Sequence, residues 1–184
     1  MGAAVFLGAV VVIILVWGAF TRRRLAYLRG KAEGAWAEID AQLHRRWDLV
    51  PALVEAVSAC TPNETAVFDR VEAVKARALD ATSPPEHAAA AAALNNALFP
   101  LFAIAEECEA LRASERFAGI RRSLEEAEDA IQRAKRVHNA AVHELNAGIG
   151  SFPRSLVAGL FGFRPRRYYA LPGDEERQAA RAQL

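Results

Sequence analysis

Four histidines, two cysteines and one run of carboxylates are the side chains in this sequence that could do chemistry. His138 and His143 stand five residues apart, so they do not share a helix face as a metal-binding pair at spacing four would. His138 also falls in an apolar stripe, where a hydrogen-bonded core histidine is a simpler reading than a ligand. Glu106-Glu107-Cys108-Glu109 sets a thiol among carboxylates, which raise its pKa and make it a poorer nucleophile. Cys108 on a core stripe is most simply a small buried hydrophobe. Glu125 to Asp129 could hold a cation, although such runs are more often solvated or arginine-paired faces. No glycine-rich phosphate loop is present, and no nucleophile, base and orienting group converge. The expectation is a protein without catalytic residues, cofactor or metal.

The elements that must carry these residues are helical. Of the 184 residues 40 are alanine, the best helix former, which accounts for much of the 53% hydrophobic content. β-branched and aromatic residues cluster near the two ends, and no stretch alternates with period two. The 23 basic and 22 acidic residues leave a net charge of +1, which argues against a polyanion binder by bulk charge. Nucleic acid is not an expected partner, since the basic clusters flank membrane-proximal segments and read better as lipid headgroup contacts. Two cysteines make no disulfide framework, and free Cys60 and Cys108 suit a reducing compartment.

Ala3 to Phe20 carries no charge and spans about 27 Å as a helix, enough to cross a bilayer core. A cleaved secretory signal would want a basic stretch before the apolar run and a small-residue cleavage site after it. Only Met1 and Gly2 precede this run, and Phe20-Thr21-Arg22 follows, so a retained anchor over residues 1–21 is the better reading. Arg22, Arg23, Arg24, Arg29 and Lys31 all lie on its C-terminal side. Basic flanks stay cytoplasmic, which predicts a single-pass membrane protein with its N-terminus outside and its body in the cytoplasm.

The body, residues 22–152, reads as helices with legible punctuation. Trp36, Ile39, Leu43, Trp47, Val50, Val54 and Val57 recur in steps of three and four, continuous with the anchor, with a kink expected at Pro51. Thr61-Pro62-Asn63-Glu64 and Ser83-Pro84-Pro85-Glu86 each resemble a capping box with proline at the helix start. A third helix carries Leu94, Leu98, Leu101, Ala105 and Cys108, with a second kink expected at Pro100. Ser114 caps a long fourth helix whose apolar positions run from Phe117 to Phe152 at near-heptad spacing. Short connections make neighbours antiparallel. The predicted fold class is all-α: a transmembrane helix continuous with a long antiparallel four-helix bundle of two long and two shorter helices, narrowing to a two-helix stalk near the membrane. Pairing the long helices sets Arg45 and Arg46 across from Glu125, Glu126 and Glu128, and Arg133 near Asp40, as structural ion pairs.

That layout returns residues 153–170 to the bilayer. Leu160, Phe161 and Phe163, with Arg164, Arg166 and Arg167 beside them, suit a membrane interface or a partner contact. Simple packing of the two phenylalanines on the stalk is the competing reading. Residues 171–184 are polar and read as a disordered tail.

Residue by residue, the sequence resembles the LemA family of bacterial membrane proteins. The resemblance lies in Leu28-Arg29, Ala35-Trp36, Ile39-Asp40, Gln42-Leu43, Arg45-Arg46, Asp48-Leu49, Pro51 and Leu53-Val54. It continues in Ala113-Ser114-Glu115-Arg116-Phe117, Leu124-Glu125-Glu126, Ile131, Asn139, Asn146 and Ser151-Phe152-Pro153, and is most specific in Ala158-Gly159-Leu160-Phe161-Gly162-Phe163. It departs at His138 and Leu145, where the family carries aromatic residues, and at Cys60 to Glu64. The resemblance implies an N-terminal anchor, an outward N-terminus and a helical cytoplasmic body, and no catalytic site to carry over. Relatives that form magnetosomes hint at membrane organisation. Two functions follow as expectations: a structural module that self-associates or shapes the membrane, with lipid and a second copy as partners, or an adaptor for another membrane protein such as a protease or transporter.

Overall fold

The structure, a computed structural model, describes residues 2–169, and the expected tail at 171–184 lies outside the described residues. Among the described residues six helices follow one another: α1 Gly2–Ser58, α2 Thr65–Leu79, α3 Pro84–Glu107, α4 Glu109–Arg112, α5 Glu115–Gly150 and α6 Arg154–Leu160. No strand occurs among the described residues. The chain forms two compact units, one of residues up to Ala37 with Lys135–Tyr168, the other of Glu38–Ala134 with Tyr169.

In the first unit, Leu28 and Ala32 of α1 meet Ala141, Val142 and Leu145 of α5, with Ile149 and Tyr168 closing the cluster. Gly148 is small for a reason: a Cβ there would stand 3.2 Å from Leu25 Cδ2 and 3.6 Å from Leu28 Cδ1. Its absence lets α5 come close to α1. Earlier on α1 the surroundings change. Every large apolar side chain described from Phe6 to Phe20 is exposed, on a stretch long and apolar enough to cross a membrane. α3 meets the same length and composition test, but its Leu94, Leu98 and Leu101 are buried in the second unit's core.

That core joins Ile39, Leu43, Trp47, Val50, Leu53 and Val57 of α1 with Val71 of α2, the α3 leucines, and Leu124 and Ile131 of α5. α2 packs on α3. α1 runs through Pro51, which is exposed, and α3 through Pro100. The cap at Ser83 forms as expected, with the Glu86 carboxylate accepting from the Ser83 backbone N–H at 3.1 Å. Ser114 likewise accepts from the Phe117 N–H at 3.3 Å.

Three expectations are corrected here. Thr61 does not cap α2, whose N-cap is Glu64; its hydroxyl turns back and donates to the Val57 carbonyl at 3.3 Å, serving the open end of α1 instead. Cys60 and Cys108 are not free but form a disulfide. Cys108 is no core position of α3, since its extended backbone separates α3 from α4 and leaves it half-buried beside Cys60. The α1 stripe holds two tryptophans, and they differ in burial. Trp36 is half-buried and meets His138 edge-on at 5.7 Å, whereas Trp47 is 1% exposed.

Truncating a fully buried large aromatic costs about 3–5 kcal/mol. Trp47→Ala is expected to lose that much in denaturant unfolding followed by circular dichroism, and Trp36→Ala less than about 2 kcal/mol. Equal losses would contradict the difference in burial.

Candidate functional site

Two places gather polar and aromatic side chains, one in each unit. In the first unit α5 ends at Gly150, and α6 follows after Ser151-Phe152-Pro153. α6 then closes through Gly162, whose φ of +68° is the left-handed conformation that glycine adopts without strain. With that turn, the Phe163 N–H donates to the Ala158 carbonyl at 2.9 Å and the Gly162 N–H to the Gly159 carbonyl at 3.3 Å, the two bonds of a Schellman closure. The Gly-Leu-Phe-Gly-Phe run is therefore a helix and its stop.

The Arg22 guanidinium lies 5.1 Å from the Phe161 ring centre, and that of Arg29 lies 5.7 Å from Phe163, both within cation–π range. Asn146 clamps the Arg166 backbone from both sides, donating to its carbonyl and accepting from its N–H, each at 2.9 Å. The Arg166 side chain pairs with Glu33, while Lys31 pairs with Glu144 at 2.9 Å. Of the six expected contact residues, Phe163 is half-buried and Arg166 is engaged internally, whereas Leu160, Phe161, Arg164 and Arg167 are exposed.

His138 completes this unit. In its Nδ1–H tautomer it donates to the Ala32 carbonyl at 3.3 Å. Burial is the main cause that pushes its pKa below the ordinary imidazole value, opposed by backbone hydrogen bonding and aided by Arg166.

In the second unit Arg46 reaches from α1 to Glu128 of α5 at 2.8 Å and donates to Asn95 of α3. Gln132 donates to the same carboxylate at 2.6 Å. Burial lowers the Arg46 pKa against the pull of Glu128, and its Nε is buried without a hydrogen-bond partner among the described residues. The other expected pairs do not assemble. Glu125 takes Arg121 on its own helix at 3.3 Å. Arg45, Glu126 and Arg133 are exposed, which leaves water as the cheaper partner for them. Asp40 faces His87 at 3.5 Å and His44 at 3.6 Å rather than Arg133.

Those two histidines were missed in the sequence. His87 stacks on Trp47 with an interplanar angle of 7° and a centroid separation of 6.0 Å, and His44 meets the same indole edge-on at 4.8 Å. Burial, ahead of the opposing Asp40 carboxylate, holds the His87 pKa below the ordinary value. The available signal was position: His44 adjoins Leu43 in the α1 stripe, and His87 begins the alanine run of α3. No group of three or more His, Cys, Asp or Glu is placed to hold a metal ion among the described residues.

Compared with known families, the chain matches the model of the LemA family over residues 35–183. The chain belongs to the LemA family. A search of curated proteins finds no match. The LemA match takes in the Arg46 cluster and the α6 segment, and begins after the apolar stretch of α1 and after Arg22, Arg29, Lys31 and Glu33.

Two outcomes are expected from these contacts. Arg46 and Glu128, measured by a double-mutant cycle of alanine variants in denaturant unfolding, should couple by about 1–3 kcal/mol, above the range of exposed pairs. A coupling near zero would make the pair ornamental. The second concerns pH. His87 and His138 titrate lower in the folded than in the unfolded chain, so the unfolded state binds more protons in acid. Their contribution is complete above about pH 6.5 and is lost as the pH falls from there through the folded values. The urea midpoint should therefore drop on acidification and drop less in His87→Gln plus His138→Gln; parallel curves would sink the assignment.

Proposed function

We propose that this LemA protein is a single-pass membrane protein whose helical body acts without catalysis, as a structural or membrane-organising module that self-associates. One observation carries this reading. α1 is a single helix of 57 residues whose described large apolar side chains from Phe6 to Phe20 are exposed and whose later part is built into packed cores. An apolar helix of that length without protein cover fits a bilayer. Because no break separates the two parts, the body is held to the anchor by helix rather than by a flexible linker.

The body is an antiparallel four-helix bundle in this reading. Within each unit the contacts support it, because rising positions on α1 meet falling positions on α5: Arg46 with Glu128 and Glu55 with Arg116 in one, Lys31 with Glu144 and Ala32 with His138 in the other. Phe99, 77% exposed on α3, gives the second unit an apolar point for a second copy. The same residue would serve an adaptor that presents its body to a different membrane protein, which is the second reading.

Arg22, Arg23 and Arg24 support a cytoplasmic body. A reducing cytoplasm would open the Cys60–Cys108 bridge of the structure to two thiols.

Cross-linking in native membranes, followed by mass identification, separates the two functional readings: a ladder of this chain alone supports self-association, and a distinct membrane protein supports the adaptor. Orientation has its own check. A reporter fused after Leu184 should behave as cytoplasmic, and Cys60 and Cys108 in intact cells should alkylate without prior reduction. A periplasmic reporter, or thiols that appear only after reduction, would reverse the topology.

A further inference from the structure

The net charge of +1 conceals a division. Over the described residues the first unit holds eleven Lys and Arg against two carboxylates, Glu33 and Glu144, while the second holds ten against seventeen. Both carboxylates of the first unit are already paired, Glu33 with Arg166 and Glu144 with Lys31. Arg22, Arg23, Arg24, Arg154 and Arg164 are exposed, a surplus of cation on one unit.

An apolar row lies among them. Phe152 lies in the turn before α6, and Leu156 and Leu160, four residues apart, share one side of that helix. The three are 83%, 66% and 80% exposed, whereas Val157 and Ala158 on the other side are buried. The fold sets the level of this row. Phe161, which follows α6 directly, lies under the guanidinium of Arg22, two residues beyond Phe20 at the end of the apolar stretch. Two residues of helix rise about 3 Å. The row therefore stands where α1 turns from apolar to arginine-rich.

We infer that Phe152, Leu156 and Leu160 insert into the headgroup–acyl boundary of the leaflet from which α1 emerges, with the surrounding arginines on anionic headgroups. The occupant is lipid because the row shares a level with the end of the anchor and the charge around it is of one sign. Phe161 and Phe163, held by Arg22 and Arg29, position α6 for this contact. The segment is too short to span and enters one leaflet only, so its binding responds to lipid charge and packing. The inference rests on the anchor reading above.

The full chain, reconstituted in vesicles of phosphatidylglycerol and brominated phosphatidylcholine, tests both separately, because Trp17 lies in the anchor. Loss of Trp17 emission to bromine, judged against Trp17→Phe, reports the anchor. In the Trp17→Phe background, Leu156→Trp and Leu160→Trp are read individually. Each added indole should lose roughly half its emission to bromine placed high on the acyl chain and less to bromine near the chain end. If Trp17 is quenched and both added indoles are not, the α6 contact is wrong and the anchor stands. If none is quenched, the anchor reading fails and takes the inference with it. Indoles shielded from both bromine and aqueous iodide would be covered by protein, which overturns the lipid assignment. Equal quenching in phosphatidylcholine alone would overturn the role of the arginines. Both substitutions fall at exposed positions, and an unchanged circular dichroism spectrum confirms that each variant is folded.

Discussion

Although its ladder lacks one bond, at Pro51, α1 is one helix from Gly2 to Ser58. The rest of the structure depends on this. Its large apolar side chains described from Phe6 to Phe20 have no protein cover, so their environment must be supplied from outside the chain. Its later ones supply most of the large residues around which the other helices pack, with Ile39, Leu43, Trp47, Val50, Leu53 and Val57 all essentially inaccessible. Gly148 shows how tightly the returning helix follows, since one added carbon would crowd Leu25.

Polar groups inside the packed parts select among arrangements more than they add stability. Arg46 costs desolvation, is compensated by Glu128 and Asn95, and fixes the register of α1 against α3 and α5. A shift of either helix by one turn would leave a buried guanidinium unpaired, at a cost of several kcal/mol. His138 does the same between α1 and α5 through the Ala32 carbonyl, and it does so uncharged. Neutral imidazoles suit this place because each brings a donor to a carbonyl without bringing a charge into the core.

The arginines at the other unit work differently. Arg22 and Arg29 lie over phenylalanine rings, and Arg166 is paired and clamped, so only some of the charge around α6 is free to meet an outside group. The glycine stop at Gly162 makes this possible by turning the chain back so that Phe163 and Arg166 can reach α1.

The sequence by itself determined the helical class, the apolar stretch, four of the helix boundaries to within a few residues, and the family. These are local properties: periodicity, capping residues and proline positions act over one or two turns. Even α6 was legible in principle, since Leu156 and Leu160 keep helical spacing and Gly162 follows as a stop. What only the tertiary structure decided depends on which faces meet. It made Trp47 rather than Trp36 the buried indole, gave Asp40 to His87 instead of Arg133, joined Cys60 to Cys108 across 48 positions, and segregated a balanced charge into a basic and an acidic unit. A stripe states that one side of a helix is covered; it does not state by what, because a rotation of one residue changes every partner while leaving the period intact.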